Sequence, residues 1–522
     1  MTSVNPQTVE QAQDVGLHYL RKVLLAPVYD LVVETELTPL TKLSTKLGHN
    51  ILLKREDQQP VHSFKLRGAY NKLVNLTEQQ SMHGVIAASA GNHAQGLALA
   101  AQKLGIKATI VMPITTPDIK VENVRRLGAE VRLVGKSFNE AQAASLDYAT
   151  NENKTYIHPF DDEDVIVGQG TVAKELLQQQ PQSDVVFVPV GGGGLLAGMA
   201  VYLKQLRPEI KIVGVEANDS ACLKAAMASG NPVDLQQVGL FADGVAVKRI
   251  GEHTFELIRQ YCDEVITVST DEICASIKDI FEQTRVIAEP AGALSLAGLQ
   301  KYCQQNEAIG ESKTLVAVLS GANMNFHSLR YVSERCELGE EKEAVLAVTI
   351  PEEVGSFRKF SQAIGGRVIT EFNYRSAAMS SDNNAAHIFV GIRVGNREER
   401  EQIVSVLQGH NYYVEDFTDN ELAKLHVRYM IGGQKQTAVQ ERLFRFQFPE
   451  YPGALETFLA TLGERWNITL FHYRNHGAAF GQVLAGFEVD NDEQLEFFRH
   501  LKALGYEWQE ETNNKAYHKF LT

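Results

Sequence analysis

The stretch Val186–Gly198, VFVPVGGGGLLAG, joins an apolar run to a helical pattern through four consecutive glycines. The run before the glycines is typical of a buried strand, and Gly191 to Gly194 then form a turn. Glycines let backbone N–H groups curl around an anion, and the N-terminus of the next helix adds partial positive charge. The stretch therefore predicts a strand–turn–helix unit with a phosphate site at its turn.

The same alternation of apolar run and helical pattern extends from about residue 50 to residue 330. Strand-like runs occur at 84–90 (GVIAASA), 107–113 (KATIVMP), 129–135 (AEVRLVG) and 211–217 (KIVGVEA). This repetition predicts a parallel sheet with helices on both faces, and ligands bind beyond the carboxyl ends of such strands. The turns SAGNH (89–93), GGGGL (191–195) and SGANMN (320–325) fall at such ends. We therefore expect these three turns to converge.

Past about residue 340 the sequence contains a repeat. Residues 344–375 align with residues 442–474, and the matched pairs are prolines, turn glycines and apolar positions: Pro351 with Pro449, Gly355 with Gly453, Phe360 with Phe458, and Gly365 with Gly463. Each copy has the order β-α-β-β-α-β, so the unit occurs twice. The segment 430–441 is the expected joint. The predicted domains are 1–338, 339–432 and 433–522.

The composition limits the class of protein. The chain has 522 residues, 44% of them hydrophobic and 22% charged, with a formal net charge of −14. These values are typical of a globular protein and argue against binding to nucleic acid or to anionic membranes. The polar start of the sequence and the absence of a long apolar run lead us to expect neither a signal peptide nor a membrane span. The cysteines are odd in number and form no CxxC pair, which predicts a reducing cytoplasm: Cys222, Cys262, Cys274, Cys303 and Cys336.

The segment His62–Tyr70, HSFKLRGAY, places a lysine at a predicted helix start. Ser63 is the expected N-cap, and Lys65, Ala69 and Leu73 fall on one stripe of the helix. A lysine on an inward stripe either extends to water or is buried for a reason. Desolvation lowers the pKa of a buried lysine and frees its amine as a nucleophile, so a lysine facing a phosphate site suggests a Schiff base.

A rival interpretation of the glycine turn is a dinucleotide site. Gly192, Gly194 and Ala197 fit the pattern G-x-G-x-x-A, and Glu216 lies at a strand end about twenty residues later. The glycine motif alone leaves both interpretations open. Hydride transfer requires no buried lysine, so Lys65 favours the Schiff base. A dinucleotide-dependent oxidoreductase with a regulatory tail remains an alternative.

The segment IHPFDDED (157–164) clusters one histidine with several carboxylates. It lacks the regular spacing of metal ligands, so an exposed acidic loop is favoured over a metal site. We predict that the chain holds no metal.

Five motifs together resemble one family. SFKLRGA, SAGNHAQG, GGGGL, AEPAGA and LSGANMN are similar to the fold-type-II pyridoxal-phosphate enzymes, which include serine/threonine dehydratases, serine racemase, cysteine synthase and tryptophan synthase β. The C-terminal repeats resemble the ACT-like regulatory domain. Along essentially the whole chain, the combination resembles the biosynthetic threonine deaminase family. The implied fold is an α/β catalytic domain with two open parallel-sheet subdomains, followed by an α+β ACT-like tandem.

The resemblance implies roles at the matching positions. Lys65 would form the Schiff base and move the Cα proton, and Phe64 would pack beside the pyridine ring. Asn92 would hydrogen-bond the 3′-oxygen of the cofactor, and Ser320 would face the ring nitrogen. Glu289 would lie near the site, and Ala291 stands where many relatives have serine. The phosphate would be held by Gly191, Gly192, Gly193, Gly194 and Leu195, and the substrate carboxylate by Ser89, Ala90, Gly91 and Asn92.

The resemblance also implies the activity: dehydration and deamination of L-threonine to 2-oxobutanoate and ammonia, with weaker action on L-serine. This is the first committed step of isoleucine biosynthesis, inhibited by isoleucine and relieved by valine, in a cytoplasmic homotetramer. Serine dehydration or racemisation on the same scaffold stays open, as does a non-catalytic amino-acid sensor in which Lys65 is idle.

The effector site is expected in the repeats. In FPEYPGALETF a Pro-Gly turn leads into a helix whose free N–H groups suit a carboxylate, and WNITLF supplies apolar side chains. The candidate effector residues are Pro452, Gly453, Ala454, Leu455, Asn467 and Ile468, with Gly355, Ser356, Phe357 and Phe372 in the first copy.

Overall fold

The computed structural model divides the chain into two compact units, Met1–Asn325 and Phe326–Thr522. The structure describes these residues: 6–306, 311–326, 328–339, 342–351, 356–365, 367, 369–376, 385–420, 422–423, 427, 441–449, 457–458, 461–462, 465–466, 468–474 and 480–520.

The first unit contains two open sheets. The larger sheet has six strands in the order β1-β2-β10-β7-β8-β9, all parallel except the edge strand β1: β1 Leu37–Pro39, β2 Asn50–Arg55, β7 Val185–Pro189, β8 Lys211–Ala217, β9 Glu264–Val268 and β10 Thr314–Leu319. The smaller sheet is parallel, in the order β5-β4-β3-β6: β3 Val85–Ala88, β4 Ala108–Met112, β5 Glu130–Leu133 and β6 Thr155–Tyr156. The predicted parallel α/β architecture is confirmed, as two sheets.

Helices connect these strands: α1 Pro6–Leu25, α2 Thr41–Leu47, α3 Lys65–Val74, α4 Glu78–Ser81, α5 Asn92–Leu104, α6 Asp118–Arg126, α7 Phe138–Asn151, α8 Glu163–Gln179, α9 Gly194–Leu206, α10 Cys222–Ser229, α11 Glu252–Tyr261, α12 Thr270–Thr284 and α13 Pro290–Gln305. None of the described helices is both long and apolar enough to cross a bilayer.

Strand β7 shows why the opening stretch folds as predicted. Each of its five residues is buried, as expected for an inner strand covered by helices on both faces. Gly193 then adopts a φ of +91°, a backbone conformation that favours glycine, and α9 begins at Gly194. The predicted strand–turn–helix unit is confirmed.

Helix α3 lies between α5 and α8 at close range. A Cβ atom added to Gly96 of α5 would lie 3.1 Å from the carbonyl carbon of Lys65, and one added to Gly168 of α8 would lie 2.5 Å from the carbonyl oxygen of Arg67. Glycine at both positions therefore lets two helices approach the first turn of α3. The same turn corrects one prediction: the N-cap is Phe64, and Ser63 Oγ only accepts a long 3.4 Å contact from the Lys65 N–H.

The second unit begins with helix α14 Ser328–Gly339 and contains two antiparallel four-stranded sheets. The first copy has the order β12-β13-β11-β14: β11 Glu343–Pro351, α15 Ser356–Ala363, β12 Ile369–Ser376, β13 Ala385–Arg393, α16 Arg397–Gly409 and β14 Tyr413–Asp416. The second has the order β16-β17-β15-β18: β15 Glu441–Pro449, β16 Ile468–Arg474, β17 Phe480–Glu488, α17 Gln494–Leu504 and β18 Glu507–Glu510, with α18 Lys515–Phe520 following.

The two copies agree in detail. Strand β12 shifts register between Ile369 and Glu371, and β16 shifts between Ile468 and Leu470, at aligned positions. Phe360 and Phe458, which the sequence alignment pairs, are both buried in their own cores. A further apolar cluster combines residues of both copies, including Val345, Ala347, Phe389, Leu443, Leu484 and Tyr517. The predicted duplication is confirmed, and the copies share a core.

Candidate active site

The site lies where strands of both sheets end. Ser89 follows β3, Gly191 lies two residues after β7, and Ser320 follows β10. The three polar turns of the sequence therefore open at carboxyl ends of parallel strands, where α/β folds bind ligands. The loop that carries Lys65 joins them, because the Phe64 N–H donates to Ser320 O over 3.2 Å and Ser63 bridges to Gly321.

Lys65 is the first residue of α3, and its side chain is half-buried. Its Nζ donates to the carbonyl oxygen of Pro159 over 3.0 Å and lies 5.3 Å from the ring centroid of Phe64. Desolvation lowers the pKa of the Lys65 ammonium to about 8, although the carboxylate of Glu289 opposes the shift. The amine is thus far more available as a base or nucleophile near neutral pH than an ordinary lysine.

The glycine turn packs against Phe160, the residue that follows Pro159, whose carbonyl oxygen accepts from Lys65. A Cβ atom added to Gly192 would lie 2.2 Å from the Phe160 ring. The Thr254 hydroxyl also donates to Gly192 O over 2.8 Å. The first turn of α9 leaves backbone N–H groups without intrahelical acceptors, so the turn 191–195 can bind an anion.

Three polar side chains from different motifs form a connected group that we call the amide triad: Asn92, Glu289 and Asn323. Asn92 Nδ2 donates to Glu289 Oε1 over 2.6 Å, and Asn323 Nδ2 donates to Asn92 Oδ1 over 2.8 Å. Asn323 Nδ2 also donates to the carbonyl oxygen of Val61, again over 2.8 Å. The triad therefore joins the Lys65 loop, the start of α5, the start of α13 and the turn after β10.

Glu289 is only 4% exposed. Burial, and next the negative charge of Asp243, raise the pKa of its carboxyl to about 7, while the hydrogen bond from Asn92 and the charge of Lys120 oppose the rise. Nearby, burial and the Lys65 ammonium lower the pKa of His93 to about 3, so that imidazole is neutral. The site thus holds two titratable groups, Lys65 and Glu289, whose pKa values lie near neutrality.

The remaining predicted residues surround this centre. Ser320 is buried, and its Oγ donates to the carbonyl oxygen of Ala291 over 3.3 Å. Ser89 Oγ accepts long 3.3 Å contacts from the N–H groups of Gly91 and Ala94 at the start of α5. A Cβ atom on Gly91 would meet no heavy atom within 4 Å, so this helix start faces open space.

Sequence reasoning missed several residues of this cleft. A Cβ atom on Gly244 would lie 4.0 Å from both Asn92 Nδ2 and Glu289 Oε1. Lys120 of α6 forms a 2.6 Å ion pair with Asp243, which precedes Gly244. These contacts, and those of Asn323, join residues far apart in sequence, and no local pattern predicts them. Asn323 could have been predicted as a site residue, because it belongs to the SGANMN motif.

Glu216 decides against the dinucleotide interpretation. Its carboxylate is fully buried and accepts from the N–H groups of Leu223 and Lys224, at 2.7 and 2.9 Å. Both oxygens are therefore engaged at the start of α10 instead of facing a ligand. The residue that a dinucleotide fold would place on a ribose is structural in this chain.

The acidic segment 157–164 also has structural partners. Asp162 caps α8 by accepting from the N–H groups of Asp164 and Val165, and Asp161 accepts from the N–H groups of Glu252 and Thr254 at the start of α11. Within the described residues, no group of histidines, cysteines and carboxylates has a metal-binding arrangement.

Most candidate effector residues lie outside the described residues: Pro452, Gly453, Ala454, Leu455, Asn467 and Gly355. Ser356 and Phe357 lie in α15, Phe372 in β12, and Ile468 begins β16. Their assignment to an effector site stays a prediction.

The residues present fit pyridoxal phosphate. The glycine turn leaves no room for a Cβ atom at Gly192 and offers helix N–H groups to a phosphate. Lys65 supplies an amine with a lowered pKa for the aldehyde, and the buried hydroxyl of Ser320 is a neutral partner for a ring nitrogen. The donor set therefore matches the groups of this cofactor.

Comparisons with known proteins agree with the site. Residues 28–321 match the family of pyridoxal-phosphate dependent enzymes, and residues 334–427 and 432–521 each match the C-terminal regulatory domain of threonine dehydratase. The biosynthetic L-threonine dehydratase IlvA of Salmonella typhimurium is 58% identical over 507 residues, covering 97% of this chain and 97% of that protein. The mitochondrial threonine dehydratase of Saccharomyces cerevisiae is 50% identical over 513 residues, covering 96% and 89%.

Solved structures resemble the chain as well. The processed form of threonine deaminase isoform 2 from Solanum lycopersicum has 47% identity and a TM-score of 0.61, covering 62% of this chain and 89% of that one. The maize serine racemase has 32% identity and a TM-score of 0.57, covering 60% and 96%. The chain therefore belongs to the threonine dehydratase family of pyridoxal-phosphate-dependent enzymes that carry a C-terminal regulatory domain.

Proposed function

We propose that this enzyme is an L-threonine ammonia-lyase that forms 2-oxobutanoate and ammonia at the entry to isoleucine biosynthesis. We further propose that isoleucine inhibits it, that valine relieves the inhibition, and that it acts as a cytoplasmic homotetramer with weaker activity on L-serine. The observation that carries the proposal is the convergence of Lys65, the amide triad and the glycine turn in one cleft of a chain with a doubled regulatory unit.

The cleft residues have distinct roles in this proposal. Lys65 binds the aldehyde, and the turn formed by Gly191, Gly192, Gly193, Gly194 and Leu195 holds the phosphate. Phe64 packs beside the ring, and Asn92 donates to the 3′-oxygen. The hydroxyl of Ser320 would face the ring nitrogen, and such a neutral partner would leave that nitrogen largely unprotonated. When bound, pyridoxal phosphate supplies an electron sink that makes the Cα–H bond of an amino acid breakable.

The substrate would bind beside α5. Its carboxylate suits the helix start at Ser89, Ala90, Gly91 and Asn92, where the first-turn N–H groups face open space. With the substrate in place, the Lys65 amine would be the base for the Cα proton, because desolvation lowers its pKa. The role of Glu289 in this step is indirect, because its carboxylate contacts Asn92.

The reaction balances without an oxidant. The Cα–H and Cβ–O bonds break, and the hydroxyl leaves with a proton as water. The released enamine becomes an imine, and one water hydrolyses it. L-threonine thus gives 2-oxobutanoate and ammonia with no net water.

The regulatory proposal is supported by the match of both C-terminal copies to a threonine dehydratase regulatory domain. ACT-like units with an amino-acid ligand suit feedback control, because a ligand that binds two states with different affinity shifts their equilibrium. Among the predicted effector residues, Gly355 of the first copy aligns with Gly453 of the second.

A keto-acid assay tests the proposal. Purified enzyme loaded with pyridoxal phosphate should form 2-oxobutanoate from L-threonine, and form pyruvate from L-serine more slowly. Isoleucine should inhibit turnover, and valine should restore it. Preference for serine, or formation of a D-amino acid without a keto acid, would contradict the proposed activity.

A further inference from the structure

The amide triad has a fixed hydrogen-bond direction, and its starting point is a backbone carbonyl. Val61 O can only accept, so the group of Asn323 that faces it must be the amide nitrogen. The second N–H of that nitrogen then meets an acceptor, which makes the facing atom of Asn92 its oxygen. The nitrogen of Asn92 is thereby directed toward Glu289.

The opposite orientation of Asn92 is disfavoured at both ends. It would place the Asn92 nitrogen against the Asn323 nitrogen, so two donors would face each other. It would also place the Asn92 oxygen against the Glu289 oxygen, so two acceptors would face each other while the carboxyl is ionised. Inside a protein such mismatches cost more than in water.

The same contacts set where the Asn92 side chain lies. Besides its contact with Val61 O, the turn after β10 is tied to the Lys65 loop by the Ala322 N–H, which donates to His62 O over 3.0 Å. A backbone hydrogen bond from Asn323 also reaches the Glu289 carboxyl. Asn92 is thus held by hydrogen bonds to Glu289 and to Asn323. Within the described part of the chain, these contacts use one N–H of its Nδ2, and the second N–H is directed to no protein acceptor.

We propose that Glu289 and Asn323 are positioning residues that hold the Asn92 amide in one orientation, so that its second N–H donates to the ring oxygen of the cofactor. This inference rests on the proposed function. Asn323 contacts no cofactor atom in this account, since both of its side-chain N–H groups are used by Val61 and Asn92. It acts only through Asn92.

The test is a double-mutant cycle read by absorbance of the loaded enzyme. A donor at the ring oxygen favours the form of the bound cofactor that absorbs in the visible over the form that absorbs in the near ultraviolet. Asn323→Ala should lower the ratio of visible to near-ultraviolet absorbance about threefold to tenfold, the equivalent of one hydrogen bond. In an Asn92→Ala background, Asn323→Ala should change the ratio no further.

Two additional variants sharpen the cycle. Asn323→Asp keeps the side-chain shape, presents an acceptor to Asn92 Oδ1, and should lower the ratio as well even if Asn323→Ala fails to fold. Asn71→Ala is the matched control, because Asn71 Nδ2 donates to the carbonyl oxygen of Asp164 over 2.7 Å on the same helix as Lys65. It should lower thermal stability and leave the ratio unchanged.

The outcomes separate the two proposals. An unchanged ratio in Asn323→Ala or Asn323→Asp, or effects of Asn92→Ala and Asn323→Ala that simply add, would overturn the positioning role while leaving the lyase intact. A wild-type enzyme that binds pyridoxal phosphate without any visible band would overturn the proposed function and this inference together.

Discussion

Lys65 and Glu289 are both desolvated, and the carboxylate of Glu289 raises the pKa of Lys65 against the effect of burial. Burial lowers the pKa of the ammonium to about 8 and raises that of the carboxyl to about 7, so desolvation favours the neutral form of both groups. A lysine with such a pKa can exchange protons near neutral pH. Desolvation in the cleft thus makes the Lys65 amine suited to Schiff-base and proton-transfer chemistry.

Glu289 should make stability depend on pH. Its folded pKa of about 7 exceeds the reference value of 4.5, so the folded protein binds more protons in this interval and loses stability as pH rises through it. The loss is at most about 3 kcal/mol. Thermal unfolding of the cofactor-free protein should therefore show that Glu289→Gln gains stability relative to wild type between about pH 5 and about pH 8. An offset independent of pH would contradict the raised pKa.

Among single residues, the sequence motifs select side chains with intrinsic chemistry, and their roles in the reaction stay predictions. Lys65, Asn92, Glu289 and Ser320 are recognisable because their motifs are local. The pairing of Lys120 with Asp243 depends on how helix α6 approaches the turn at Asp243, which no periodicity encodes. Glu216 was misleading because its spacing suits a ribose ligand, whereas only the structure shows the N–H groups that it accepts from.

Helix α3 carries Lys65 on one side and a buried ion cluster on the other. Arg67 contacts Glu56 at 2.7 Å and Glu175 at 2.6 Å, and Lys54 contacts Glu175 at 2.7 Å. All four side chains are excluded from solvent. Two cations and two anions balance, so the cluster fixes α3 against β2 and α8 without net buried charge.

Breaking this cluster should be costly. Arg67→Leu leaves two buried carboxylates with only Lys54, and removal of one partner from a buried ion pair typically costs about 3–5 kcal/mol. Chemical denaturation should show a loss of that size in the first unit. Arg125→Leu, which removes the exposed pair with Glu122, should cost less than about 1 kcal/mol. Equal effects of the two variants would show that the cluster does not stabilise α3.

At the element scale, the apolar runs predicted the strands well because parallel strands are buried on both faces. The run at 211–217 became β8, Lys211–Ala217, and the helix predicted after the glycine turn became α9. The cap of α3 was predicted incorrectly, since Ser63 is used in a bridge to Gly321 instead. The preference of serine for the N-cap position is local, and here the tertiary contact between Ser63 and Gly321 decides where the helix begins.

The whole molecule divides into a catalytic and a regulatory part in the account proposed here. The contact boundary falls between Asn325 and Phe326, and the regulatory family match begins at residue 334. The repeat was visible in the sequence because both copies keep their turn glycines and core phenylalanines. The shared core between the copies was not visible, because an alignment pairs Val345 with Leu443 without showing that the two side chains lie in one cluster.

Truncation tests this division. A chain ending at Gly339 should retain turnover of L-threonine and lose inhibition by isoleucine, because the proposed effector residues are all removed. The inhibition lost should correspond to a coupling of about 1–3 kcal/mol between the sites. Steady-state assays with and without isoleucine, run beside the full chain, measure it. Inhibition that survives truncation would place the sensor in the first unit.

The proposed function requires that Lys65 is the amine joined to the cofactor. Borohydride reduction of the loaded enzyme, followed by digestion and mass spectrometry of the peptides, tests it most directly. We expect a phosphopyridoxyl mass on the peptide that contains Lys65, and the loss of both the label and turnover in Lys65→Ala. A label on Lys120 or on any other lysine, or a Lys65→Ala enzyme that still turns over L-threonine, would contradict it.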